Sequence, residues 1–103
     1  MDRLKVLENL MAVIEKRADS NPSDSYVAKL LHAPNDQVLK KIGEEATEVL
    51  LAVKGGDKNE VIHEVADLFF HLLVMLEKEQ IKFVEILDEL QDRQIRSKSD
   101  VKK

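Results

Sequence analysis

Residues 40–76 read KKIGEEATEVLLAVKGGDKNEVIHEVADLFFHLLVML, and they decide the fold. On both sides of Gly55-Gly56 the apolar residues recur at three- and four-residue spacing, the period of a helix. Glycine accepts the left-handed conformation that closes a helix, so one helix is predicted over Asp36–Lys54 and stops at the pair. The next starts at Asp57 with Glu60 three residues on, a capping box with Asp in the Ser/Thr role. It runs to Glu79. The loop Gly55–Asp57 is too short for anything but an antiparallel return, so the two helices lie side by side.

The flanking sequence keeps the same period. Leu4, Leu7, Leu10, Met11 and Ile14 form one stripe of a helix over Asp2–Arg17. Residues 18–24 (ADSNPSD) break it, and a short helix over Ser25–Leu31 follows, with Ser23 or Asp24 as cap. After the interruption HAPND, and beyond the helix ending at Glu79, a last helix spans Lys82–Ile95 with Val84, Leu87 and Leu90 inward. Only three Gly and two Pro stand in 103 residues, which favours long helices. The expected fold is all-α, a four-to-five-helix bundle-like domain over residues 1–96, with a polar tail over 97–103 that frays.

Composition narrows the function. The absence of cysteine excludes disulfides and thiolate metal sites and suits a cytoplasmic protein. No targeting segment and no membrane span is visible. A net charge of −4 argues against nucleic acid as partner. A chain this short has a thin core, which with one very apolar helix argues for a homodimer.

The position of the acids says more. At about 100° per residue, Glu60, Asp67 and His71 fall within roughly 60° of Glu64 on the helix over Asp57–Glu79. Val61, Ile62, Val65, Ala66, Leu68, Phe69, Leu72, Leu73, Met75 and Leu76 fill the rest, so this helix is expected to be central and its acidic stripe to line a cleft or an interface. On the preceding helix Glu44, Glu45 and Glu48 share a side with Lys41, and Glu45 stands at the edge of the apolar face, so it should be the least exposed. Glu48 lies seven residues before Gly55 and Glu64 eight after Gly56, so the clusters face each other. An isolated EExxE is usually a solvated face, and an isolated ExxD says equally little. The joint occurrence on consecutive antiparallel helices carries the signal. Carboxylates gathered on partly apolar helices repel and take up protons unless a cation intervenes. A hard divalent ion resolves the conflict, and Mg²⁺ is typically shared with substrate phosphates.

Glu44-Glu45-Ala46-Thr47-Glu48 followed by Glu64-Val65-Ala66-Asp67 resembles the signature of the all-α nucleotide pyrophosphohydrolases, which include the MazG-like proteins. KKIGEEATEVLLAVKGGD (Lys40–Asp57), EVADLFFHLLVML (Glu64–Leu76) and IEKRADSNPSDSYVAKLL (Ile14–Leu31) resemble, within that group, the blocks of the phosphoribosyl-ATP pyrophosphohydrolase family. The resemblance spans Leu4 to Arg93. It implies hydrolysis of phosphoribosyl-ATP to phosphoribosyl-AMP and pyrophosphate, the second step of histidine biosynthesis. It implies Glu45, Glu48, Glu64 and Asp67 as ligands of Mg²⁺, with Mn²⁺ a possible substitute. Glu44, Glu45 and Glu48 are then the catalytic carboxylates, Glu44 being a ligand or the group that orients the attacking water. The chain departs from the family pattern at Val27, where Thr is usual, at His32–Asn35, and at Gln80, where Gly is common.

The same resemblance makes Arg17, Ser25 and Tyr26 candidates for phosphate or ribose contacts, and Lys41 and Lys54 candidates for phosphates. The plain alternatives are a turn capped by Ser25 with Tyr26 packing beside it, and lysines balancing nearby glutamates. Glu15 is expected to support Arg17. His71 is expected to be a hydrogen-bonded core histidine rather than a substrate contact. Glu60 and His63 form a lone ExxH, short of the second that a di-iron bundle needs. The alternative enzyme is a MazG-like house-cleaning nucleoside triphosphate pyrophosphohydrolase, which lacks the Arg17…Ser25-Tyr26 segment. A helical dimerisation module without metal is the non-catalytic alternative.

Overall fold

A computed structural model describes residues 2–96, and the expected tail lies outside them. Five helices follow in order: α1 Lys5–Arg17, α2 Tyr26–His32, α3 Asn35–Gly55, α4 Lys58–Lys78 and α5 Phe83–Arg96. None of them is long and apolar enough to cross a membrane.

The ends differ from the expected bounds for local reasons. α1 begins at Lys5 because Asp2 closes a turn first, its Oδ1 accepting the Leu4 N–H at 3.0 Å. The cap of α2 is Ser25 itself, in extended conformation, with the Ala28 N–H donating to its Oγ at 3.3 Å. Ser23 is spent elsewhere, on Asn21 Oδ1 at 2.9 Å. α3 takes in Gly55, and Gly56 closes it at φ 80°, its N–H shared between the Ala52 and Val53 carbonyls. Asp57 caps α4, accepting from the Asn59 and Glu60 N–H groups at 2.9 and 3.3 Å. Glu60 makes no return bond among the described residues, so half of the expected box forms. The other half of such a box stands alone at α5, where the Lys82 N–H donates to Glu85 Oε2 at 2.8 Å.

α4 is the central helix, packed against α3, α1 and α2. The core is Met11 and Ile14 of α1, Leu30 of α2, Val38 of α3, and Leu73, Val74 and Leu76 of α4. The short α2 is fastened to α4 at its C-terminal end. Lys78 Nζ donates to the carbonyls of Leu30, Leu31 and Ala33 at 3.2, 3.1 and 2.6 Å, capping the open end of α2 with one ammonium group.

The expected inward faces are only partly covered. Val84, Leu87 and Leu90 of α5 are exposed, as are Leu50 and Val53 of α3 and Ile62 and Phe69 of α4. α5 has no buried residue. With α4 it forms a groove of about 360 Å³, lined solely by apolar side chains, Phe69, Leu72, Phe83 and Leu87 among them. The radius of gyration is 15.5 Å, above the roughly 13 Å of a compact chain of this length.

Candidate active site

The antiparallel pairing of α3 and α4 brings their acids together. Glu45, Glu48 and Glu64 each place a carboxylate oxygen within 4.8 Å of the others. Glu45 is 3% exposed, whereas Glu44 and Glu48 are open to solvent, the order expected from the edge position of Glu45. Asp67 joins from the other end. Its carboxylate, that of Glu64 and the His63 ring form a second group of the same span, and His63 Nε2 stands 3.4 Å from Asp67 Oδ2. The four expected ligands, together with His63, thus form two overlapping triads that share Glu64. Glu44 belongs to neither.

Electrostatics mark the cluster as strained without a cation. Burial, then the hydrogen bond and charge of Glu48, push the Glu64 carboxyl above the ordinary 4.5, with Glu45 adding a smaller share and His63 opposing. Lys41 Nζ lies 3.3 Å from Glu45 Oε1. The hydrogen bond to Glu45 holds the Lys41 ammonium above its ordinary 10.5, against an opposing desolvation. Two oxygens have no partner among the described residues. Glu45 Oε2 and Glu64 Oε1 are buried and accept no hydrogen bond. An unpaired buried carboxylate oxygen is costly. A set of oxygen donors with two orphaned members fits a hard divalent cation. Beside it, Glu48, Leu51, Ala52, Gly55, Asp57, Glu60 and Glu64 line a hollow of about 400 Å³ between the end of α3 and the start of α4.

The other expected contacts are spread more widely. Ser25 is the cap of α2. Tyr26 is half exposed, and its hydroxyl meets His71 Nε2 at 2.9 Å. His71 is 4% exposed and hydrogen-bonded, as expected of a core histidine, with Nδ1 2.8 Å from the Asp67 carbonyl. Arg17, at the end of α1, and Lys54, near the end of α3, form no ion pair among the described residues. Glu15 does not support Arg17; it pairs with Lys82 Nζ at 3.7 Å, because the end of α1 approaches the start of α5. His63, which the sequence pattern pairs with Glu60 as a lone ExxH, instead stands beside Asp67, and its four-residue spacing from Asp67 is the signal for that contact.

Comparison with known proteins gives one consistent result. Residues 7–94 match the family described as phosphoribosyl-ATP pyrophosphohydrolase. The chain is 52% identical over 89 residues to the phosphoribosyl-ATP pyrophosphatase of Nitrosospira multiformis, covering 86% of this chain and 74% of that one. Phosphoribosyl-ATP pyrophosphatases of Nitrosomonas eutropha and of Neisseria meningitidis serogroup B are each 46% identical over 89 residues, covering 86% of this chain and 76% and 83% of theirs.

Proposed function

We propose, from the premise that this chain belongs to the phosphoribosyl-ATP pyrophosphohydrolase family, that its paired carboxylates carry out the family's reaction. That reaction is hydrolysis of phosphoribosyl-ATP to phosphoribosyl-AMP and pyrophosphate, in histidine biosynthesis. The observation that carries the reading is the meeting of Glu45, Glu48 and Glu64 with two unpartnered buried oxygens.

Water adds across the anhydride between the α- and β-phosphates, and the breaking bond leaves its oxygen with pyrophosphate. Both the substrate and this site are anionic, so binding needs positive charge between them. Glu45, Glu48, Glu64 and Asp67 would hold Mg²⁺, or Mn²⁺ in its place, which supplies charge neutralisation on the phosphates and lowers the pKa of a water. Glu45 is held in place by burial and by Lys41. Glu44, exposed at the rim, has the freedom to orient the attacking water and accept its proton. Lys41, Lys54 and Arg17 are the cations available to the phosphates, and Ser25 and Tyr26 lie on the segment that would face the phosphoribosyl-adenosine part.

We expect the protein to act as a homodimer in the cytoplasm, joined through the apolar groove of α4 and α5. The substrate assignment is tested by pyrophosphate release with Mg²⁺, comparing phosphoribosyl-ATP with a panel of deoxynucleoside triphosphates. Preference for phosphoribosyl-ATP supports the reading. Preference for the deoxynucleotides makes the protein a house-cleaning enzyme, and no metal-dependent release from either makes it a structural module.

A further inference from the structure

Tyr26 and His71 form a bond whose polarity is fixed by what lies behind it. The Asp67 carbonyl has no proton to give, so His71 Nδ1 carries the hydrogen in the 2.8 Å contact between them. A neutral imidazole has one ring hydrogen, and the contact with that carbonyl uses it. Its Nε2 then offers only a lone pair. The Tyr26 hydroxyl, 2.9 Å away, must donate its one hydrogen there.

The ring of Tyr26 is held as firmly as its proton. It stacks on Phe70 with centroids 6.3 Å apart and meets the edge of His71 at 6.0 Å. A seven-residue helix is not stable alone. Here α2 is pinned at Tyr26 by His71 and at its other end by Lys78. His71 lies one helical turn beyond Asp67, so the pin joins α2 directly to the acidic stripe.

We propose that His71 is a positioning residue that accepts the Tyr26 hydrogen bond, so that Tyr26 meets the substrate only as a hydrogen-bond acceptor and recognises a donor on its nucleoside part, such as a ribose hydroxyl, rather than a phosphate. Ionised phosphate oxygens are acceptors, and two acceptors repel. The half-exposed hydroxyl keeps its lone pairs for a group that has a hydrogen to give. The proposal rests on the reading that the segment Ser25-Tyr26 faces the nucleotide, and it narrows what Tyr26 does there.

The two products separate the possibilities, since phosphoribosyl-AMP retains the ribose hydroxyls and pyrophosphate has none. Tyr26→Phe keeps the ring and removes the acceptor. His71→Asn keeps a donor toward the Asp67 carbonyl and removes the Nε2 lone pair. Each should raise KM for phosphoribosyl-ATP roughly 3- to 10-fold, the worth of one neutral hydrogen bond. Each should weaken inhibition by phosphoribosyl-AMP by a similar factor and leave inhibition by pyrophosphate unchanged. The double variant should be no worse than the weaker single variant, because the pair acts as one unit. Lower melting temperatures with KM and both inhibition constants unchanged would reduce the pair to a structural contact. Weakened pyrophosphate inhibition in Tyr26→Phe would place the hydroxyl on a phosphate, and either result overturns the proposal. If His71→Asn does not fold, Tyr26→Phe decides alone. A wild-type protein that neither binds nor cleaves phosphoribosyl-ATP overturns the functional reading and this proposal with it; normal cleavage with an unchanged Tyr26→Phe overturns this proposal only.

Discussion

Glu64 sits where the two triads overlap, and its carboxyl reports how much the site opposes the fold. Burial, then Glu48, raise it above the ordinary 4.5. Between that value and its folded value, the native protein holds a proton that the unfolded chain has released. The stability from this group is therefore complete below about pH 4.5 and is lost as pH rises through the folded value. In cation-free buffer, Glu64→Gln should melt higher than the parent at about pH 7, and the difference should shrink toward about pH 4.5. Thermal melts of both proteins across that range check it; a parent that melts higher at neutral pH would show that the carboxylates are not in conflict. At this scale the sequence was informative about position and silent about pairing. The helical angle placed Glu45 at the edge of the apolar face, and burial followed. That Asp67 turns toward His63, and Glu15 toward Lys82, depends on side-chain rotamers and neighbouring elements that no spacing rule contains.

The helix ends show a second kind of limit. Gln80 takes the left-handed conformation at φ 58°, a position that costs an L residue about 1–2 kcal/mol. It does so because α4 closes with a Schellman motif: the Ile81 N–H donates to the Leu76 carbonyl at 2.9 Å and the Gln80 N–H to that of Glu77 at 3.1 Å. Gln80 offsets part of the strain by donating its side-chain amide to the Glu77 carbonyl at 2.8 Å. Gln80→Gly should stabilise the protein by about 0.5–1 kcal/mol net, since glycine relieves the strain but is freer when unfolded. Urea unfolding should show a higher midpoint with the same slope. The departure at Gln80 was visible in the sequence, and its backbone consequence was not.

Lys78, the last residue of the same helix, is the companion case. Lys78→Met keeps the stem and deletes three hydrogen bonds, leaving the carbonyls that end α2 without their cation. The expected loss is about 1–3 kcal/mol. Amide exchange should speed up first in α2, while α3 and the middle of α4 keep their protection. Uniform loss of protection would mean that Lys78 serves the whole core. Nothing in the sequence singled out Lys78, because a lysine ending one helix gives no hint that it caps another.

At the scale of the molecule, the all-α class and the antiparallel α3–α4 pair followed from hydrophobic period and the Gly55-Gly56 stop. The placement of α5 did not. Its apolar residues show helical spacing, which says that a face must be covered and not by which copy of the chain. Leu87 is 40% exposed and Phe69 50%, and both line the groove between α4 and α5. If a second copy fills that groove, sedimentation should give a dimer for the parent and a monomer for Leu87→Glu, since a charge buried in an apolar interface is not tolerated. A monomeric parent would assign the groove to something other than this chain.

The facing carboxylates of α3 and α4 are proposed to hold a divalent cation and to work through it. The most direct measurement of that role is the rate of pyrophosphate release from phosphoribosyl-ATP, in the parent and in Glu48→Gln, as Mg²⁺ is added back after chelation. Saturable recovery in the parent is expected from a chelated rate at least about 100-fold lower, with Glu48→Gln held at least about 100-fold below the parent at every concentration. Undiminished turnover in chelator, or full activity of Glu48→Gln, would contradict it.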